Sequence, residues 1–217
     1  MTHAWKMVAA LALLAPRVVD AQLCMGLPAF SAGRVQIGAA ADFGNDAQAF
    51  IGTLSVGSPA GPFAGVLIGT VSYDDVDGNS TAIGGQLGWQ LPIGTASRVQ
   101  LCPVAGVVRS FADDLGGAEV ASWDVVFGLQ LGVPTGASSQ FRIVPTAGAA
   151  LAYTKARFEA GIINFEEDET FGILSLGLGL LLNARVSLLP TVEIPVGLDD
   201  ADPVLGIMLA VNFGGRS

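Results

Sequence analysis

Few side chains in this chain could carry out chemistry inside a folded protein. Three charged residues interrupt otherwise apolar, alternating segments, namely Asp124, Arg142 and Glu193, and Arg109 is a further candidate for the same interior. If the three share one interior, Asp124 and Arg142 are candidates for an ion pair. The set would then either fill that interior or set the ion selectivity of a narrow pore, and we favour the filling role.

Few residues in the sequence could support catalysis. The one histidine, His3, lies in a segment that we expect to be removed, so the remaining chain offers no histidine as a general base. No glycine-rich phosphate loop or nucleophile elbow occurs, and the net charge of -9 argues against nucleic acid as a partner. We expect no enzyme and no cofactor.

The two cysteines, Cys24 and Cys102, make a poor zinc site without histidine. In an oxidising compartment two such cysteines can pair. We therefore hypothesise a Cys24–Cys102 disulfide that ties residues 22–32 into or across one mouth of the fold. Two unpaired cysteines are the alternative.

Acidic clusters occur at Asp74, Asp75 and Asp77 and at residues 166–169. Carboxylate oxygens of this kind can bind divalent cations, but a solvated, like-charged loop surface is the interpretation that we prefer. The segment around the second cluster also contains apolar residues between its charges, namely Phe158, Ile162, Ile163 and Phe165. They predict either strands that extend outward or a contact patch, and we favour extension.

The N-terminus has the pattern of a cleavable signal peptide. Lys6 precedes an apolar run over residues 7–14, and Val19 and Ala21 are small residues where a signal peptidase reads. We predict cleavage after Ala21, although an amphipathic first helix is the alternative. The predicted organisation is a signal peptide over 1–21, an N-terminal segment over 22–32 and one domain over 33–217.

Composition and periodicity together point to membrane-spanning strands. Apolar residues make up 51% of the chain and charged residues 13%, against about 25% charged in ordinary soluble domains. No run reaches the ~18 consecutive apolar residues of a spanning helix. Apolar residues instead recur at every second position, as at Trp123, Val125, Phe127, Leu129, Leu131 and Val133.

Ten such segments can be counted, and we predict an all-β fold. They are centred near residues 39, 51, 68, 86, 103, 127, 147, 177, 191 and 208. The ninth is the weakest, because Pro190 and Pro195 each remove a ladder donor and could mark a bulge or a distorted strand. Eight strands is the alternative count.

The connections between these segments alternate in character. The odd connections are acidic, and every acidic residue after Ala21 falls in or beside them except Asp124 and Glu193. The even connections are short, and the arginines at the opposite segment ends are Arg34, Arg98, Arg142, Arg185 and Arg216. This asymmetry predicts a closed antiparallel up-and-down β-barrel with acidic extracellular loops.

These features resemble the small bacterial outer-membrane barrels of the OmpA/OmpX type. The resemblance implies a location in the bacterial outer membrane, contact with its lipid and recognition by the barrel assembly machinery. In that class the last strand ends in an aromatic assembly signal, which Leu209, Val211 and Phe213 resemble. Here, however, the chain continues through Gly214–Ser217.

Three functions fit this description. The favoured one is a barrel with a structural or surface-interaction role, and the first alternative is a narrow pore for small solutes. A secreted lipocalin-like or β-sandwich binding protein is the third, but the face opposite the apolar one is dominated by Gly, Ala, Ser and Gln rather than by charges. Such residues suit a narrow barrel interior better than open water.

Overall fold

A computed structural model of the chain describes residues 33–45, 47–58, 61–74, 78–93, 99–112, 119–133, 135, 141–160, 163–182, 185–198 and 201–214. The predicted signal peptide and the segment over 22–32 lie outside the described residues and remain predictions. Among the described residues, no helix is long and apolar enough to cross a membrane.

Eleven strands make up the described fold. They are β1 (Gly33–Phe43), β2 (Ala47–Gly57), β3 (Pro62–Tyr73), β4 (Asn79–Trp89), β5 (Leu91–Ile93), β6 (Val99–Ala112), β7 (Glu119–Gly132), β8 (Phe141–Ala160), β9 (Ile163–Leu182), β10 (Val186–Val196) and β11 (Val204–Gly214). The short β5 continues β4 along β6 in an unchanged register, from Gly88 opposite Val104 to Leu91 opposite Leu101. With β4 and β5 counted as one interrupted strand, the barrel has ten strands. Each predicted segment centre falls within its own strand.

The sheet closes on itself. Every neighbouring pair is antiparallel, β1 pairs with β11, and β4 pairs with β6. Following paired residues once around the barrel from Leu180 leads back to the same strand at Asp168. This displacement along β9 is the stagger that tilted strands need in order to close, and the predicted closed barrel is confirmed.

The exposed and buried faces are arranged in the reverse of a soluble protein. Large apolar side chains point outward, with exposures such as 62% for Phe127 and 59% for both Leu176 and Leu205. Inward positions carry small or uncharged polar residues, as at Ala49, Ser55 and Gln86. An apolar outer belt is stable in lipid, and closure satisfies the backbone groups that lipid cannot hydrogen-bond.

The two ends of the barrel can be told apart by the described side chains. Arg142 and Arg185 are exposed at one end, while Arg98 and Arg216 lie outside the described residues. At the other end, Asn45 in the first connection donates a hydrogen bond to Asp202 in the last, at 2.5 Å. We call this second end the upper end.

Two regions of the barrel, the β8–β9 hairpin and the strand around Pro190, test expectations from the sequence. The acidic connection that contains residues 166–169 is mostly strand, because β8 continues into it as far as Ala160 and β9 begins at Ile163. The favoured extension around Phe158 and Phe165 is thereby confirmed. Pro190 interrupts the pairing of β10 with β9, yet the register is the same on both sides, so no bulge forms there.

Candidate functional site

The barrel lumen is packed with side chains. Towards the lower end the inward side chains are mainly amides, namely Gln36, Gln86, Gln90, Gln100, Gln130 and Asn212. Towards the upper end they are mainly apolar or aromatic, namely Val71, Tyr73, Ala112, Val120, Phe158 and Phe171. Gln86 is only 3% exposed and Gln130 7%. A wide water-filled channel would leave such side chains accessible, so the described lumen is closely filled.

Asp124 is fully buried in the upper half of the lumen. Thr154 on β8 donates a hydrogen bond from Oγ1 to Asp124 Oδ1 at 2.7 Å, and Ser122 Oγ donates to Oδ2 at 3.3 Å. Both partners are neutral hydroxyls. This carboxylate is therefore held by hydrogen bonds, without an ion pair among the described residues.

The predicted ion pair between Asp124 and Arg142 is wrong. The register of β7 and β8 places Asp124 opposite Thr154, whereas Arg142 is exposed at the lower end of β8. Arg109, which we also considered for the interior, points outward between Ile83 and Trp123. Neither arginine reaches the buried carboxylate.

Glu193 does lie inside the barrel, on β10, with 4% exposure. A third buried carboxylate, Asp42 on β1, is 3% exposed and was missed, because it was counted with the first acidic connection. Its inward position follows from the alternation that buries Gln36 and Ala40 on the same strand. The alternation in the sequence could therefore have predicted that Asp42 lies inside the barrel.

The hairpin of β8 and β9 rises above the apolar belt. On the outer face of β8 the side chains change from Leu151 and Tyr153 to Lys155 and Arg157. Lys155 Nζ lies 2.9 Å from Glu166 Oε2, while Arg157 pairs with Glu159. The hydrogen bond and the charge of Glu166 raise the pKa of Lys155 and lower that of Glu166. A charged outer face identifies this part of the hairpin as surrounded by water.

On the inward face of the projecting hairpin, an aromatic pair joins its two strands. Phe158 and Phe165 face each other across β8 and β9, with ring centroids 5.2 Å apart and planes 8° from parallel. Phe158 is 4% exposed and belongs to the apolar cluster in the barrel, against which Phe165 and Leu198 also pack. The hairpin is thus anchored to the top of the lumen.

The projecting part of β9 has one free edge. β10 pairs with β9 only as far as Val196 opposite Gly172. From Ile163 to Phe171, β9 pairs with β8 on one side and with no described strand on the other. Outward-directed main-chain groups along this edge are thus left without a sheet partner among the described residues.

The acidic run on β9 does not gather its carboxylates in one place. Strand alternation sends Glu166 and Asp168 to one face and Glu167 and Glu169 to the other. Among the described residues, no group of three or more acidic, cysteine or histidine side chains could hold a metal ion. Asp75 and Asp77 lie outside the described residues, and cation binding there remains a prediction.

The other predicted site residues are the two cysteines and the residues at the end of β11. Cys102 is 2% exposed and faces the lumen beside Gln130, while Cys24 lies outside the described residues, so their disulfide stays a prediction. Leu209 and Phe213 point outward from β11, with Val211 between them on the same face. Recognition of these three residues by an assembly machinery also stays a prediction.

A closed up-and-down barrel with an apolar outer belt is the fold of bacterial outer-membrane β-barrel proteins, and this chain has that fold. The predicted fold class is confirmed. Neither a family model nor a curated protein matches the sequence.

Three solved structures are similar to this chain, and the first of them supports the same fold. The translocator domain of the autotransporter NalP from Neisseria meningitidis is similar, with 12% identity, a TM-score of 0.55 and coverage of 96% of this chain and 98% of that one. The N-terminal barrel of OprF from Pseudomonas aeruginosa has 11% identity and a TM-score of 0.41, covering 84% and 100%. Ail of Yersinia pestis, an attachment invasion locus protein, has 12% identity and a TM-score of 0.42, covering 82% and 96%.

Proposed function

We propose that this protein is a non-catalytic structural barrel that holds the β8–β9 hairpin above the outer membrane for contact with a partner. The free edge of β9 over Ile163–Phe171 carries this proposal. An edge of nine strand residues extends for about 30 Å at ~3.3 Å per residue. That length is enough for an extended segment of another chain to add as one more strand.

The charge of the hairpin limits the kind of partner. Glu167 and Asp168 lie on opposite faces of the free-edge strand, and neither is among the described ion pairs. A strand that adds at this edge would place its own side chains next to both faces. The expected partner is therefore an extended, basic peptide segment.

The upper end is assigned to the outside of the cell. Barrels of this class have short turns on the periplasmic side and longer connections on the extracellular side. The projecting hairpin is at the end opposite the exposed Arg142 and Arg185. Both the acidic residues and the free edge would then face the surroundings of the cell.

The test uses the barrel refolded in neutral detergent micelles and a labelled peptide of alternating Lys and Val. We expect saturable binding by fluorescence anisotropy and weakening by salt, since exposed charges are screened. Glu167→Gln with Asp168→Asn should lower the affinity several-fold. The matched control is Asp74→Asn, because Asp74 is an exposed acidic residue in a different connection.

Hydrogen exchange locates the bound peptide. Added peptide should slow exchange at amides within 163–171 and leave β10 unchanged, because this edge of β9 has no partner among the described strands, whereas β10 is paired on both sides. Equal binding of a Glu–Val peptide, or protection elsewhere on the barrel, would contradict the proposed edge.

The pore alternative is tested separately. The buried amides and aromatic residues of the lumen predict no steady single-channel conductance in a planar bilayer. A steady, reproducible conductance would overturn the structural role and favour a narrow pore.

A further inference from the structure

A groove on the outer surface of the barrel lies between β4, β6 and β7. It has a volume of about 550 Å³ and is lined by Ile83, Gly84, Gly85, Val107, Arg109, Phe111 and Trp123. Gly85 creates it, because this outward position lies between the side chains of Ile83 and Leu87 and has none of its own. The groove is apolar except at Arg109.

Arg109 is unusual in its surroundings. Its neighbours across β4 and β7 are Ile83 and Trp123, and its guanidinium carbon lies 5.3 Å from the centre of the Trp123 ring. Among the described residues it forms no salt bridge. A guanidinium beside an apolar belt is favoured when an anion accepts its hydrogen bonds, and phosphate accepts two at once.

The height of Arg109 suits a lipid headgroup. Trp123 and Phe111 are outward aromatic residues close to the upper ends of their strands. Outer-membrane barrels have girdles of such residues where the hydrocarbon meets the headgroups. An anion at Arg109 would therefore be at phosphate level, with the groove below it in the hydrocarbon.

We propose that this groove is a binding site for lipid A, with one lipid phosphate on Arg109 and an acyl chain against Gly85. The choice of an outer-leaflet lipid rests on the orientation given above as part of the proposed function. The planar guanidinium supplies paired donors, and the absent side chain at Gly85 supplies the space.

The first test measures lipid A binding to the protein refolded in neutral detergent micelles, so that no native lipid is carried over. Tryptophan emission reports binding, and the Trp89→Phe variant isolates the barrel signal of Trp123. Arg109→Gln should weaken binding about tenfold, the effect of losing one charge-assisted contact. Arg109→Lys should retain part of the affinity, and Arg142→Gln, at the other end, should change nothing. Unchanged binding by Arg109→Gln would overturn the site.

A second pair of variants tests the groove itself. A Cβ at Gly85 would lie 3.6 Å from the nearest atom and one at Gly52 3.8 Å, so both outward positions accept a side chain. Gly85→Leu should fill the groove and weaken binding, whereas Gly52→Leu, on β2, should not. Equal behaviour of the two variants would overturn the place of the acyl chain.

The lipid source is tested with two competitors. Dephosphorylated lipid A should bind more weakly than lipid A, and phosphatidylglycerol should compete poorly. Equal binding of phosphatidylglycerol would overturn the assignment to lipid A. Peptide binding at the β9 edge is measured independently and should be unaffected by Arg109→Gln, so a failure of this site is distinguishable from a failure of the proposed function.

Discussion

Thr154 donates its hydroxyl hydrogen bond to Asp124 across the paired strands β8 and β7, at 2.7 Å, deep in the upper half of the lumen. A buried polar group costs free energy unless its hydrogen bonds are made, and here the acceptor is a carboxylate with only hydroxyl partners. The stability of the upper barrel therefore depends on this contact.

Thr154→Val should destabilise the folded barrel by about 1–3 kcal/mol, the range for leaving a buried acceptor without its hydrogen bond. The change is nearly isosteric, so the loss reports the hydroxyl. Urea unfolding of the barrel in lipid vesicles measures it. The control is Thr53→Val, because Thr53 is also buried but has no hydrogen bond within the described part of the chain. Equal loss in both variants would contradict this role for Thr154.

Much of the fold was predictable because lipid is a uniform solvent that selects apolar residues at most outward positions. Trp123, Phe127 and Leu131 follow that rule, and so the strands and their outward faces could be identified. The partner of Asp124 depended instead on register. Arg142 lies at the start of β8, while Asp124 lies most of a strand away from the end of β7, and this distance would have excluded the pair.

The site was harder to predict than the barrel. The free edge of β9 exists because β10 ends at Val196, and nothing in the local pattern of β9 states where its neighbour stops. The outward direction of Arg109 was predictable, because it alternates in step with Val107 and Phe111, which both point outward. The groove beside it depends on Gly85, a position on a separate strand, and needed the three-dimensional pairing of β4 with β6.

Glu166→Gln should lower the pKa of Lys155, because the negative charge is removed and the amide oxygen of glutamine is a weaker acceptor than a carboxylate. In the unchanged protein the pair contributes to the hairpin at intermediate pH. The contribution falls as pH drops through the lowered pKa of Glu166, below the usual ~4.3, and as pH rises through the raised pKa of Lys155, above ~10.4. NMR titration of the Lys155 side chain in micelles measures the shift. Glu159→Gln is the control, since Glu159 pairs with Arg157.

Phe158→Ala should loosen the projecting hairpin without opening the barrel. The side chain is almost fully buried, and its truncation typically costs about 3–5 kcal/mol. Trypsin should then cut faster after Lys155 or Arg157, while the described strands β1–β4 stay protected from hydrogen exchange. The control is Phe50→Ala, which removes an outward ring 50% exposed on β2. Equal protease sensitivity of both variants would contradict the anchoring role.

The Cys24–Cys102 disulfide predicts a mass two hydrogens below that of the reduced chain in non-reducing analysis. Cys102 faces the lumen and is 2% exposed, and the described part of the chain contains no free cysteine. Alkylation before reduction should therefore modify neither thiol, and after reduction both. Two alkylated cysteines in the unreduced, unfolded protein would refute the pairing. Cys102→Ser should then leave Cys24 open to alkylation.

Phe213→Ala should reduce the amount of folded protein in the outer membrane several-fold, if the end of β11 is read during assembly. Phe213 and Leu205 both point outward from this strand, at 49% and 59% exposure, so loss of either ring or side chain removes comparable contact with lipid. Phe213 lies at the C-terminal end of β11, opposite Val35 beside the register shift in β1, whereas Leu205 lies at the N-terminal end of the strand. Leu205→Ala is therefore the matched control for packing alone, and heat-modifiable mobility on gels measures folded protein in membrane fractions. A smaller loss for Phe213→Ala than for Leu205→Ala would show that the terminal aromatic residue acts only through packing.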